Sequence, residues 1–142
     1  MASQVTYRLG AVVQVVAPIA DDTAYRGAQR VRGRYISNVR KSGRIDTGRM
    51  IAQTQVRRVN RGDGLQRTYE VASTARSQRD GFNYPAAQEH GTRAHGPVVA
   101  SAMVFTPKGG QGVVFAQWVR GVTPGNFMLN AWRGCTVTDF LP

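Results

Sequence analysis

Cysteine is almost missing from this chain: Cys135 is the only one in 142 residues. A lone thiol makes no internal disulfide and gives a metal at most one sulfur ligand, so neither a disulfide framework nor a cysteine-built zinc site holds the fold. Acidic residues are scarce too, 8 against 19 Lys plus Arg, for a formal net charge of +11 and a pI near 11.2. Lysine hardly contributes to that excess, because Lys41 and Lys108 stand beside 17 arginines. Long apolar runs are lacking as well. The nearest, residues 11–20, is broken by Gln14 and Pro18 and falls well short of the roughly 20 residues of a membrane span. One Arg before that run and Asp21-Asp22 after it do not fit a secretory signal, so the expectation is a chain that is cytosolic where it is made, with no membrane partner.

What remains is 42% hydrophobic, enough apolar content for a folded domain, with 16 Gly and 6 Pro to make loops. Arginine makes planar, bidentate contacts and stacks on aromatic rings, so its dominance points to surfaces that meet a partner. The partner is nucleic acid or an acidic protein surface.

Along the chain, residues 1–20 read as a strand or extended arm, from the β-branched run that Pro18 closes. Residues 21–142 read as a single α+β domain. A helix is expected over 22–42, with Asp21, Asp22 and Thr23 as N-cap oxygens and Gly43 as the stop. Ala24, Ala28, Val31, Tyr35 and Val39 share one face, and Arg26, Arg30, Arg34, Arg40 and Lys41 the other. Arg32 intrudes on the apolar side. From Met50 the period changes to an alternation, Met50, Ala52, Thr54 and Val56 against Gln53, Gln55 and Arg57. A Gly62-Asp63-Gly64 turn then makes a hairpin with Leu65, Tyr69 and Val71 on one side. Pro85 starts a short helix that Gly91 ends. A second hairpin spans 102–119, and a short helix over 126–133 has Phe127, Ala131 and Trp132 as its apolar contacts. A last strand is expected over 136–140. The architecture is a basic amphipathic helix packed on a mostly antiparallel sheet, with a short C-terminal helix.

Three patterns invite chemistry. Asp46-Thr47-Gly48 matches the triplet around an aspartic-protease carboxylate, which works as a pair sharing one proton in a dry cleft. Arg44 and Arg49 bracket it and a helix precedes it, so a turn in which Asp46 and Thr47 cap backbone groups fits better. Glu89, His90 and His95 are metal-ligand types, yet the histidines stand five apart across a Gly and share no helical face. A helix ending in a Gly cap, with Thr92 bonding the loop, is the plainer reading. Arg61-Gly62-Asp63 reads as a turn between strands. No catalytic, cofactor, metal or small-molecule site is assigned.

Taken in order, three segments resemble the tail-completion or head–tail joining (neck) proteins of long-tailed double-stranded DNA phages. They are Asp46-Thr47-Gly48-Arg49-Met50, Tyr84-Pro85-Ala86-Ala87-Gln88-Glu89-His90-Gly91-Thr92, and Pro124-Gly125-Asn126-Phe127-Met128-Leu129-Asn130-Ala131. His90 stands where that family has an aromatic or aliphatic residue, and Asn130 where a Pro is common. The resemblance implies a structural virion protein without enzymatic activity. It would form a ring, usually of six copies, between the head connector or head-closure protein and the tail terminator or tail tube, with double-stranded DNA passing through. On that reading the motif residues are structural turns. The basic residues Arg26, Arg30, Arg34, Arg40, Lys41, Arg44 and Arg57 then form an assembly surface or face the DNA. Assembly is preferred, because strong phosphate contacts would retard DNA that must slide. The alternative is a small basic nucleic-acid-binding protein acting through the same arginines.

Overall fold

The computed structural model describes residues 9–44, 48–59, 66–78, 80–106, 110 and 112–141. The chain divides into two compact units: Met1–Ala75 together with Phe127–Pro142, and Arg76–Asn126. Each unit has its own two-stranded antiparallel ladder.

The first unit is organised by α1, Leu9–Lys41, a helix of 33 residues. Its buried stripe, Ala28, Val31, Tyr35 and Val39, is the one the periodicity indicated. The expected strand or arm over 1–20 is overturned from Leu9 onward, because that stretch is already helical. Val16, Ala20 and Ala24 continue the stripe backwards at steps of four, and extending a formed helix adds a hydrogen bond for each residue ordered. Against that gain the few tenths of a kcal/mol by which valine disfavours helix are small. Asp21, Asp22 and Thr23 thus lie inside the helix and are not its cap.

A single turn, α2 (Arg49–Ala52), replaces the expected start of the strand. It buries Met50, whose carbonyl accepts the hydroxyls of Thr54 at 2.6 Å and Ser73 at 2.9 Å. These two bonds tie the turn to β1 (Thr54–Arg58) and β2 (Tyr69–Ser73), which pair with Thr54 opposite Ser73 and Arg58 opposite Tyr69. The turn expected at residues 62–64 and Leu65 lie outside the described residues. Arg32, the cation on the apolar side of α1, reaches over to donate to the Thr54 carbonyl at 2.8 Å.

In the second unit, α3 (Tyr84–His90) starts at Asn83, whose side chain accepts the Ala86 amide, with Pro85 in the first turn. Beyond it, β3 (Met103–Phe105) pairs antiparallel with β4 (Val114–Ala116). The chain then returns to the first unit through α4 (Phe127–Arg133). Phe127 and Ala131 are buried, but Trp132 is 61% exposed, which corrects its expected place as a core anchor. The expected strand over 136–140 is instead a 3-10 turn, Val137–Asp139. Thr136 and Asp139 close it as a capping box, so local side-chain bonding outweighs the β-preference of Thr136 and Val137.

Candidate functional site

The arginines of α1 do not form one open basic face. Arg26 pairs with Asp22 one turn away at 2.7 Å. Arg34 holds Asp139 at 2.9 Å and donates to the Gly134 carbonyl. Arg30 lies 3.5 Å from the same carboxylate and donates to the Thr138 carbonyl at 2.8 Å. The guanidinium groups thus fasten the C-terminal turn onto the helix. Arg57 pairs with Glu70 directly across the ladder. Arg44 sits over the Phe127 ring, 5.9 Å from its centroid. Arg40 and Lys41, at the helix end, are exposed, and among the described residues neither forms an ion pair. Much of the basic surface assigned to a partner is therefore engaged within the chain.

Asp139 is the residue on which that fastening converges. The Thr136 backbone N–H, donated to its carboxylate at 2.8 Å, is the chief reason its pKa lies below the usual carboxylate value. The Thr136 hydroxyl and Arg34 add to the effect, against the opposing cost of desolvation. A second anchor is built on Asp21, which accepts the Tyr69 hydroxyl at 3.0 Å and lies 3.4 Å from both Arg58 and Arg67. Burial, and then the bond to Asp21, push the Tyr69 phenol above its ordinary pKa. The Tyr69 ring also packs against Tyr25, centroids 5.6 Å apart. Neither anchor was singled out from the sequence, although the Thr136-to-Asp139 spacing is a capping-box signal that could have revealed one of them.

Asp46 and Thr47 lie outside the described residues. Gly48 precedes α2 in the left-handed region, with φ +68°, and Arg49 is half-buried. The other two motif segments meet within the second unit. The Gln88 carbonyl accepts the Gly125 N–H at 2.8 Å, and the Glu89 carbonyl accepts that of Asn126 at 3.1 Å. Thr92 donates its N–H to the Val122 carbonyl, and its hydroxyl accepts the Val122 N–H, both at 2.9 Å. Gly91, at φ +74°, makes this approach possible, since a Cβ there would stand 2.6 Å from the Val122 oxygen and 2.8 Å from Pro124. Glu89 and Thr92 thus help build a scaffold. The Tyr84 hydroxyl is buried and has no hydrogen-bond partner among the described residues.

His90 is exposed at the end of α3, and His95 forms a β-bridge with Val119. Among the described residues no three His, Cys, Asp or Glu side chains gather as a metal site, and no helix is long and apolar enough to cross a membrane. Cys135 is half-buried, its thiol directed at the Ala131 carbonyl.

Two apolar surfaces were not anticipated. The first unit has an open groove of about 770 Å³ lined chiefly by α1, β2, α4 and Phe140. The second unit leaves Val104, Phe115 and Trp118 exposed on and beside the β3–β4 ribbon. The ribbon had a signal in the sequence: Val113-Val114-Phe115-Ala116 has no polar residue in the alternate positions that would mark a solvated side. Compared with known protein families, with curated proteins and with solved structures, the chain matches none.

Proposed function

We propose that this chain is a structural protein of the neck of a long-tailed double-stranded DNA phage. It closes with further copies of itself, six in the ring the resemblance implies, and joins the head connector to the tail while DNA passes through. The observation that carries this reading is the meeting of two motif segments, in which the Gln88 and Glu89 carbonyls accept the Gly125 and Asn126 amides while Thr92 holds the adjoining Val122. Two of the three segments on which the resemblance rests thereby brace each other, which supports the structural-turn reading. Exposed apolar surface on both units supports assembly as well, since contiguous apolar patches on a soluble domain mark interaction sites.

The competing reading is a small nucleic-acid-binding protein acting through α1. The internal ion pairs of Arg26, Arg30 and Arg34 weigh against it, because arginines already satisfied by carboxylates and carbonyls release fewer counterions on meeting phosphate. In the neck reading, Arg40 and Lys41 are exposed cations at the end of α1, available to an acidic neighbour such as the head-closure or tail-terminator protein.

Native mass measurement with negative-stain imaging tests the proposal. A closed ring, and its presence at the neck of purified virions, is the expected result. A monomer that shifts duplex DNA in a salt-sensitive manner would favour the competing reading.

A further inference from the structure

The C-terminal turn is tied to the rest of the first unit by side chains alone. Among the described residues, the backbone hydrogen bonds of residues 135–141 are local: the Cys135 amide to the Trp132 carbonyl, that of Asp139 to Thr136, and that of Phe140 to Val137. What seats the turn comes chiefly from α1. Arg30 donates to the Thr138 carbonyl at 2.8 Å, and Arg34 holds the Asp139 carboxylate at 2.9 Å. These guanidinium side chains are 47% and 37% exposed, so each pair is weak and the turn can leave. The Phe140 ring fills the notch that Gly27 leaves in the helix, with Trp132 of α4 edge-on to it.

Arm and seat are each built without the other. Within the turn, the Asp139 carboxylate accepts the Thr136 N–H at 2.8 Å and closes a capping box, so binding has less left to order. The seat is α1 with α4 packed on it, and that packing does not use the turn: Phe127 is buried, and its carbonyl accepts the Asn38 side chain at 3.1 Å. Between arm and seat stands Gly134, directly after α4, whose carbonyl Arg34 also takes.

We propose that residues 135–141 are an exchangeable arm, which turns about Gly134 to seat in the Gly27 notch and on Arg30 and Arg34 of a second copy. The inference rests on the ring reading above and names a contact between neighbours. Each bond the arm makes in its own chain is made again in the neighbour's, so exchange costs little in contacts and the nearer seat is taken. Charge favours the neighbour. Copies of net charge +11 repel, and Asp139 is the only acidic residue between 90 and 142. Set on the arginines of another copy, it puts an attraction where the repulsion between copies acts; in its own chain it does not. Arm and seat are different surfaces, so each copy gives one and receives one, and the association propagates until it closes.

The test keeps the full chain. Asp139→Asn with Phe140→Ala leaves an empty seat without a working arm, and Gly27→Leu leaves an intact arm without a seat; circular dichroism checks that both fold. The isotope-labelled seat variant is titrated with the unlabelled arm variant, and the amides of Gly27, Arg30 and Arg34 are followed by NMR. They should move toward their positions in the parent and saturate at one arm per seat, whereas unlabelled seat variant moves none of them. Should Gly27→Leu not fold, Arg30→Ala with Arg34→Ala supplies the arm. Unmoved amides overturn the exchange, while a parent ring seen by imaging keeps the ring reading standing. Moved amides with a parent that stops at two copies keep the exchange and overturn the ring. A parent chain that remains monomeric overturns both.

Discussion

The ring of Phe140 occupies the space where a β-carbon on Gly27 would stand. The glycine lies in the middle of α1, where it costs the helix about 1 kcal/mol relative to alanine, and that cost is what lets the C-terminal turn lie down on the helix. Gly33, six residues on, has open space around its missing side chain and no unusual backbone angle. Alanine at the two sites should therefore act with opposite sign. Gly27→Ala forces the phenyl ring aside and should destabilise, by about 1–3 kcal/mol of overpacking less the helix gain. Gly33→Ala should stabilise by ~0.5–1 kcal/mol. Denaturant melts of the two variants beside the parent decide it, and equal shifts would remove Phe140 from the argument.

Asp139 should give the stability a dependence on acid pH. Its carboxyl titrates below the usual value when folded, so the unfolded chain takes up the proton first as pH falls. The contribution is complete above the ordinary carboxylate range and is lost as pH drops through the lower, folded value. Melting temperatures of the parent and of Asp139→Asn should thus differ at neutral pH and draw together in acid. Curves that stay parallel would show that the carboxylate charge is not what secures the turn.

At the alkaline end the sign reverses for Tyr69. Its phenol is raised by burial and by the bond to Asp21, so the unfolded chain ionises first, near pH 10, and native stability falls as pH rises from there through the higher folded value. Tyr69→Phe should cost about 1 kcal/mol at neutral pH, for the lost hydrogen bond to Asp21. It should also flatten the alkaline loss. A variant as sensitive to alkali as the parent would assign that loss to another group.

Phe127 and Trp132 share a short helix but should respond differently to truncation. Phe127 is 5% exposed, and its replacement by Ala should cost ~3–5 kcal/mol. Trp132, mostly exposed and set edge-on to Phe140 with centroids 6.4 Å apart, should cost far less in the isolated chain. Its truncation should therefore leave the melting temperature nearly where it is in the parent. Chemical melts of Phe127→Ala and Trp132→Ala beside the parent check it, and equal losses would place both rings in the core.

The buried stripe of α1 could be read from the sequence because a helix long enough to show several periods declares its inner face locally. The short helix from Pro85 to Gly91 was legible for the same reason, in that its start and stop signals lie within it. Trp132 was misplaced because α4 has fewer than two full turns, too short for periodicity to tell inside from outside. Asp21 and Asp22 carry a cap signal, since acids before an apolar pattern commonly are caps, yet they lie inside α1. Their partners, Arg26 on α1 itself and Arg58, Arg67 and Tyr69 of the distant hairpin segment, are set by folding. The division into two units was hidden since it depends on which ladder each strand joins, and two hairpins look alike whether or not they share a sheet. The arginines were legible as a face, but their carboxylate at Asp139 lies a hundred residues away along the chain.

Pro18 lies inside α1 and has no N–H to offer the carbonyl four residues before it. The ladder of hydrogen bonds that makes the helix a single rod is interrupted at that rung. The amides of residues 19–21 still reach back across it, so the turns from Leu9 to Ala17 are joined to the remainder by one backbone bond fewer than any other part of the rod. In an amide-exchange experiment the leading turns should therefore exchange faster than the stretch beneath Phe140 and Asp139.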